Sequence, residues 1–369
     1  MPPQLLEGEE SKNLKQAANQ LKNVLRGVMA ASFGLSIFFA ILLQLIWKML
    51  ATIQLMVHTP MFGIAYPGNA RLFFSTIIDL VNLKLINVDW ILKKIGVTFV
   101  SKSSSLSKEA EFGYSGNFVQ SAGALLVVTL VLAIICGLGF LLYRNCKSKS
   151  PLLKKILILL ANKIIFNTFI RSFITGYLGF GLSAFLASKM MTFTNLPTTI
   201  DALLSMIFTA ICMLGGFIMA AFLMKYQPSL DLLKFRNRCQ TMYLDIKVWD
   251  RLALFYYPNF IIRRLLFCFV IAYIPMYGQL QVMFFVISCL FMVTYSMLSH
   301  SFTWKASSYL DIFNETSICL LSYTMYGYTD LVLDGKTKYT LGYWAIAIFC
   351  LNLLMNILFI IYTIIRAIY

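Results

Sequence analysis

The chain has 369 residues, 59% of them hydrophobic and 12% charged, with a mean hydropathy of +0.77. A soluble globule is about 45–50% apolar and about 25% charged, so composition excludes one. The apolar residues come in unbroken runs of about 18 or more rather than in short alternating segments, which excludes a β-barrel and predicts an all-α, polytopic transmembrane helical bundle of about eight spans.

The net charge of +16 lies mostly beside hydrophobic runs, where the positive-inside rule accounts for it, so it implies no nucleic-acid partner. Cys136, Cys212, Cys268, Cys289, Cys319 and Cys350 fall inside or at the ends of spans, and Cys146 and Cys239 lie in basic connectors. They form neither a disulfide framework nor a metal-ligand spacing. With His58 and His300 the only histidines, no metal site, cofactor or His-based triad is expected.

Residues 1–26 form an arm. Glu7, Glu9 and Glu10 among Lys12, Lys15, Lys22 and Arg26 exclude a transit peptide, while Leu14, Ala17, Ala18, Leu21 and Leu25 predict a short amphipathic helix able to lie on the membrane surface. Span 1 covers residues 27–57 and is expected to act as an uncleaved signal anchor. It is longer than one perpendicular crossing needs, so it is either tilted or bent at Trp47–Lys48, an aromatic and a snorkelling lysine suited to an interface. Residues 58–120 form a non-spanning connector. Its stretch 72–100 carries Asp79, Lys84, Asp89, Lys93 and Lys94, too many charges to cross, and predicts amphipathic helices on the surface or capping the bundle.

Residues 121–369 are expected to hold seven spans: 122–143, 164–187 with Asn167 and Arg171, 202–223, 265–277 with the preceding FYYPNFI, 281–297, 307–327 and 343–364. Two basic connectors, 144–163 and 225–264, separate them. Eight crossings put both connectors and both termini on one side. That side is cytosolic in a plasma membrane or endomembrane, and a mitochondrial inner membrane fits the charge pattern as well.

The penultimate span is the informative one. It carries Asp311 and Glu315 one turn apart with Asn314 between them, and residues at i and i+4 share a helical face. A carboxylate facing lipid costs about 2.5–3.5 kcal/mol, so this face is expected to meet a cation, water or a polar bundle interior. Three readings stand: a cation or proton path with Asn314, Tyr309 and Tyr323 as neighbouring oxygens; a structural ion pair with Arg171; or a late helix start that leaves Asp311 at the interface. Arg263 and Arg264 open a span at its basic end and read as topology anchors, or, with Arg236 and Arg238, as ligands for anionic lipid head groups.

Several short motifs carry a resemblance. Trp47 and Gln54 ahead of Pro60, Tyr66-Pro67-Gly68-Asn69-Ala70, Phe112-Gly113-Tyr114-Ser115 with Asn117, Phe166-Asn167-x-x-Ile170-Arg171 with Tyr177-Leu178, Arg263-Arg264-Leu265-x-Phe267, Gln281 and Asn314-Glu315 follow in order. This order resembles the multi-spanning C-terminal module of large ciliate cell-surface proteins and, more remotely, the fungal transient-receptor-potential-like membrane family. The likeness covers most of residues 44–328. It implies an architecture, with channel or sensor activity as a further expectation. The cysteine-rich outer region usual in that ciliate group has no counterpart here, and no calcium-selective filter or ankyrin repeat is visible.

No phosphate-cradling glycine loop, HExxH or nucleophile elbow is present, and Asp311 and Asp201 lack aspartyl-protease contexts, so no enzyme is expected. Two functions remain. One is a structural or accessory subunit of a larger membrane assembly, partnered by the bilayer and other membrane subunits. The other is a channel-like or transporter-like protein with a cation path past Asp311 and Glu315. A transport protein needs a water-reachable polar seam joining Asp311 and Glu315 to both sides; an assembly subunit needs those carboxylates sealed by Arg171 and large apolar faces buried by partner chains.

Overall fold

The computed structural model describes residues 9–36, 40–81, 107–123, 165–232 and 239–368, with positions 94, 126, 127, 134, 138 and 235 standing alone. Most of the expected span at 122–143, the basic connector 144–163, and Arg236 and Arg238 therefore lie outside the described residues. Among those described the structure is helical and holds no strand, apart from one isolated antiparallel bridge between Ile246 and Phe302.

The longer helices are α1 (Glu9–Ser36), α2 (Ala40–Val57), α3 (Gly68–Val81), α4 (Ile165–Lys189), α5 (Leu196–Tyr226), α6 (Tyr256–Tyr273), α7 (Gly278–Ser299), α8 (Lys305–Tyr326) and α9 (Gly335–Ile368). Among the described residues, four stretches are long and apolar enough to cross a membrane: Leu196–Ser229, Arg251–Tyr273, Gly278–Ser299 and Gly335–Arg366. The count of about eight spans is thus supported for four. The acidic helix α8 is long enough but falls outside this set, because its carboxylates, Asn314 and serines lower its hydropathy.

Helix α2 is the hub, packed against α1, α3, α4, α8 and α9. A helix apolar on every face belongs in an interior, and Leu45, Ile46, Met49, Leu50, Ile53, Leu55 and Met56 are all buried. Trp47 and Lys48 lie within one continuous helix, α2, and not at its end. The arm is likewise not a separate surface helix. It is the first half of α1, whose apolar stripe buries Ala18 and Leu25 against the core.

Helix α3 covers the start of the stretch 72–100 expected as amphipathic helices on the surface or capping the bundle; it turns one face into the core, and most of 82–100 lies outside the described residues. Phe73 and Phe74 pack edge-on against Phe349 of α9, with ring centroids 5.6 Å apart in each pair, a geometry that adds about 0.5–1.5 kcal/mol per pair to plain burial.

The helices end on two faces. At the first, the loop 58–67, the α6–α7 turn and the α8–α9 turn meet. Gly63 and Gly278 allow this, since a Cβ on Gly278 would lie 2.5 Å from the Gly63 carbonyl oxygen and one on Gly63 would lie 2.3 Å from that of Pro275. Asp334 caps α9 there, accepting from the amides of Lys336 (3.1 Å) and Thr337 (2.9 Å), and the Thr337 hydroxyl and amide hold its carboxyl below the usual carboxylate range. Asp201 of α5 caps a different segment, accepting from the amides of Phe118 (3.1 Å) and Val119 (2.7 Å). At the second face, residues 243–250 pair with the α7–α8 turn through Thr303 N–H to the Asp245 carbonyl (2.8 Å) and Lys247 N–H to that of Ser301 (3.0 Å).

The expected placement of both chain ends on one side is corrected. Glu10 accepts a 2.6 Å bond from Tyr343, near the start of α9 at the first face, whereas the Arg366 guanidinium sits 5.3 Å from the Trp304 ring centroid at the second.

Candidate functional site

A buried polar core runs between α2, α4, α6, α8 and α9. On α8, Asp311, Asn314 and Glu315 are each at most 6% exposed and point inward together. Asp311 accepts from the hydroxyls of Tyr256 on α6 and Ser296 on α7, the latter at 3.0 Å. Glu315 forms a two-pronged ion pair with Arg263 on α6; Nη1 meets Oε2, and Nη2 meets Oε1 at 2.9 Å. The planar guanidinium fork matches a carboxylate in this geometry, which makes the bond directional as well as strong.

The expected partner, Arg171, does not make this pair. It lines the same cavity but comes from α4, where its guanidinium has the Tyr257 phenol in electrostatic reach. Arg263 and Arg264, expected as topology anchors or head-group ligands, are 5% and 0% exposed. The helix that carries them starts at Tyr256, so both lie two turns inside the bundle instead of at its edge. Arg264 donates to the Ala51 carbonyl (2.6 Å) and to Gln54 Oε1 (3.0 Å) and lies 4.2 Å from the Phe260 ring centroid. It thus anchors α6 to α2.

Lys48, expected at an interface, is drawn in by the same core. Its ammonium donates to Ser307 (2.9 Å), reaches Asp245 at 3.9 Å and caps the Phe302 ring at 3.1 Å from its centroid. Gln44, one turn before it, donates to the Leu244 carbonyl at 3.3 Å. These contacts tie α2 to the second face.

The third component is an asparagine cluster. Asn314 Oδ1 accepts from Asn352 (2.9 Å) and Asn356 (2.8 Å), both on α9. Sequence reading passed over this pair. The available signal was their i,i+4 spacing within an otherwise apolar helix, the same signal that singled out Asp311 and Glu315. Asn314→Leu is expected to lower stability by about 0.6–1.7 kcal/mol, the range for side-chain hydrogen bonds between membrane helices, read as an earlier unfolding midpoint in detergent micelles. An unchanged midpoint would leave the cluster without a stabilising role.

Between these groups lies a cavity of about 60 Å³, lined by Lys48, Arg171, Tyr257, Arg263, Asp311 and Glu315 among others. It has room for a few waters or one small ion. A second, more open hollow of about 410 Å³ lies between Gly63, Tyr277, Tyr328 and Asp330 at the first face; at its edge burial pushes the Tyr328 phenol well above its usual range.

Comparison with protein-family models, curated proteins and solved structures finds no match, so the functional reading rests on this geometry.

Proposed function

We propose that the chain is an integral membrane protein acting as a structural subunit of a larger membrane assembly, without catalysis of its own. One observation carries this reading: both intramembrane carboxylates are locked, Glu315 by Arg263 and Asp311 by Tyr256 and Ser296. A conducting site keeps its carboxylates free to exchange ligands, whereas here each oxygen already accepts a bond. A cation path past Asp311 and Glu315 also needs an opening at the second face, where the Lys48–Ser307 bond and the pairing of residues 245–247 with 301–303 stand in the way. The outer face of α5, with Leu203, Met206, Ile207, Leu214, Phe217 and Ile218 exposed, supports a surface turned to lipid or to partner helices. The resemblance to the ciliate module bears on architecture in the same sense, and a plasma membrane or endomembrane location belongs to this proposal.

Purified protein in sealed vesicles is expected to pass no cations above the level of empty vesicles, and gently extracted protein is expected to migrate well above its own 42.0 kDa. Cation flux in the wild type that Asp311→Asn with Glu315→Gln abolishes would replace this reading with the transport one.

A further inference from the structure

The cavity beside Glu315 has more donors than acceptors. Arg263 uses both terminal nitrogens on Glu315, yet its buried Nε–H has no partner. Among the described residues nothing accepts a hydrogen bond from the Arg171 guanidinium or the Tyr257 hydroxyl, and both line the same cavity. Charge tells the same story. Lys48, Arg171 and Arg263 face it against Asp311 and Glu315, and Asp245, 3.9 Å from Lys48, balances the third cation. Arg264, buried directly behind, adds a further cation with no acid in contact, and that charge is the uncompensated one. Unfilled donors in a low-dielectric interior are costly. Water fills them in part, but each water brings protons of its own, whereas an oxyanion brings acceptors alone and the missing negative charge.

We propose that this cavity binds a phosphate-class oxyanion through Arg171, Tyr257 and Arg263. The site rests on the membrane-embedded reading, and it differs from head-group capture at a basic connector because its ligands come from the interior faces of α4 and α6. Arg171 and Tyr257 are half-buried, so the cavity is reached from their side, between α4 and α6, and not past the Lys48–Ser307 bond. A long side chain there can extend toward the head-group level, and both a lipid phosphodiester and free phosphate have access. A cavity of about 60 Å³ admits the anion itself, with acyl chains left outside.

The test is thermal unfolding of the delipidated full chain in a neutral detergent, titrated separately with inorganic phosphate, a short-chain phosphatidylglycerol and a neutral short-chain diacylglycerol. A ligand that binds the folded state raises the midpoint in proportion to its occupancy. Wild type is expected to shift with phosphatidylglycerol, with phosphate, or with both, and not with diacylglycerol. A shift with the lipid alone identifies a membrane source, and a shift with both identifies a general anion site. Arg171→Gln is expected to weaken binding by about tenfold or more, Tyr257→Phe by a smaller factor, and Arg171→Lys is expected to retain part of it. Should Arg171→Gln fail to fold, Tyr257→Phe carries the comparison, since it removes one hydroxyl and no volume. No shift in wild type with either anion, or the same shift in wild type and in both Arg171→Gln and Tyr257→Phe, overturns the proposal. Membrane insertion is scored separately by resistance to alkaline extraction.

Discussion

Glu315→Leu alone is expected to destabilise the protein by about 3–5 kcal/mol, and adding Arg263→Met is expected to recover most of that loss. The single change leaves the Arg263 guanidinium, 5% exposed, as a buried cation with no counter-ion. The double change removes both charges together, so the desolvation cost disappears along with the pair. Denaturant midpoints in micelles for wild type, each single variant and the double variant decide the matter. A double variant as unstable as Glu315→Leu would mean that the ion pair is not what the single change disturbs, and the account of the polar core would fall with it.

The second large effect belongs to the first face. Gly278→Ala and Gly63→Ala are each expected to cost about 1–3 kcal/mol, the range for forcing extra volume into a packed region. The obstacle at both positions is a backbone carbonyl, at 2.5 Å from a Gly278 Cβ and at 2.3 Å from a Gly63 Cβ, and backbone cannot rotate aside as a side chain does. The loop 58–67 and the α6–α7 turn must therefore separate, which also stretches the 2.6 Å bond from the Gly63 amide to Gln281. Gly335→Ala is the control, because a Cβ there meets nothing within 4 Å. If all three variants unfold at the same midpoint, the close approach is not a constraint.

Much of this fold was legible in the sequence because hydrophobic run length depends on local order alone. The helices α5, α7 and α9 contain the expected spans 202–223, 281–297 and 343–364, although α5 and α9 begin six and eight residues earlier, and the inward face shared by Asp311 and Glu315 follows from an i,i+4 spacing. What was not legible was depth. Positive charge beside an apolar run reads as an interface under the positive-inside rule, so Arg263, Arg264 and Lys48 were assigned to the edge. They lie inside because α6 begins at Tyr256, and because Glu315 meets Arg263, Gln54 and the Ala51 carbonyl meet Arg264, and Ser307 with Asp245 meets Lys48. These partners are 52 to 259 positions away, which no local pattern encodes. Arg171 misled for the converse reason: it sits mid-run, as a pairing cation should, yet α4 delivers it to the cavity wall and leaves the carboxylates to α6. The amphipathic pattern of the arm was correctly periodic, but periodicity cannot say whether an apolar stripe meets a membrane surface or a neighbouring helix such as α3.

The central position of α2 carries a consequence for biosynthesis. Its polar side chains meet partners that leave the ribosome much later: Gln44 waits 200 residues for Leu244, Gln54 waits 210 for Arg264, and Lys48 waits 259 for Ser307. Until roughly two thirds of the chain has been made, all three side chains lack these partners, and the Lys48 ammonium lacks Ser307 until roughly five sixths has been made. The hub's early residence must therefore be in a hydrated vestibule or beside an insertion factor, and a nascent chain arrested before α8 emerges would carry the hub helix in unfinished form.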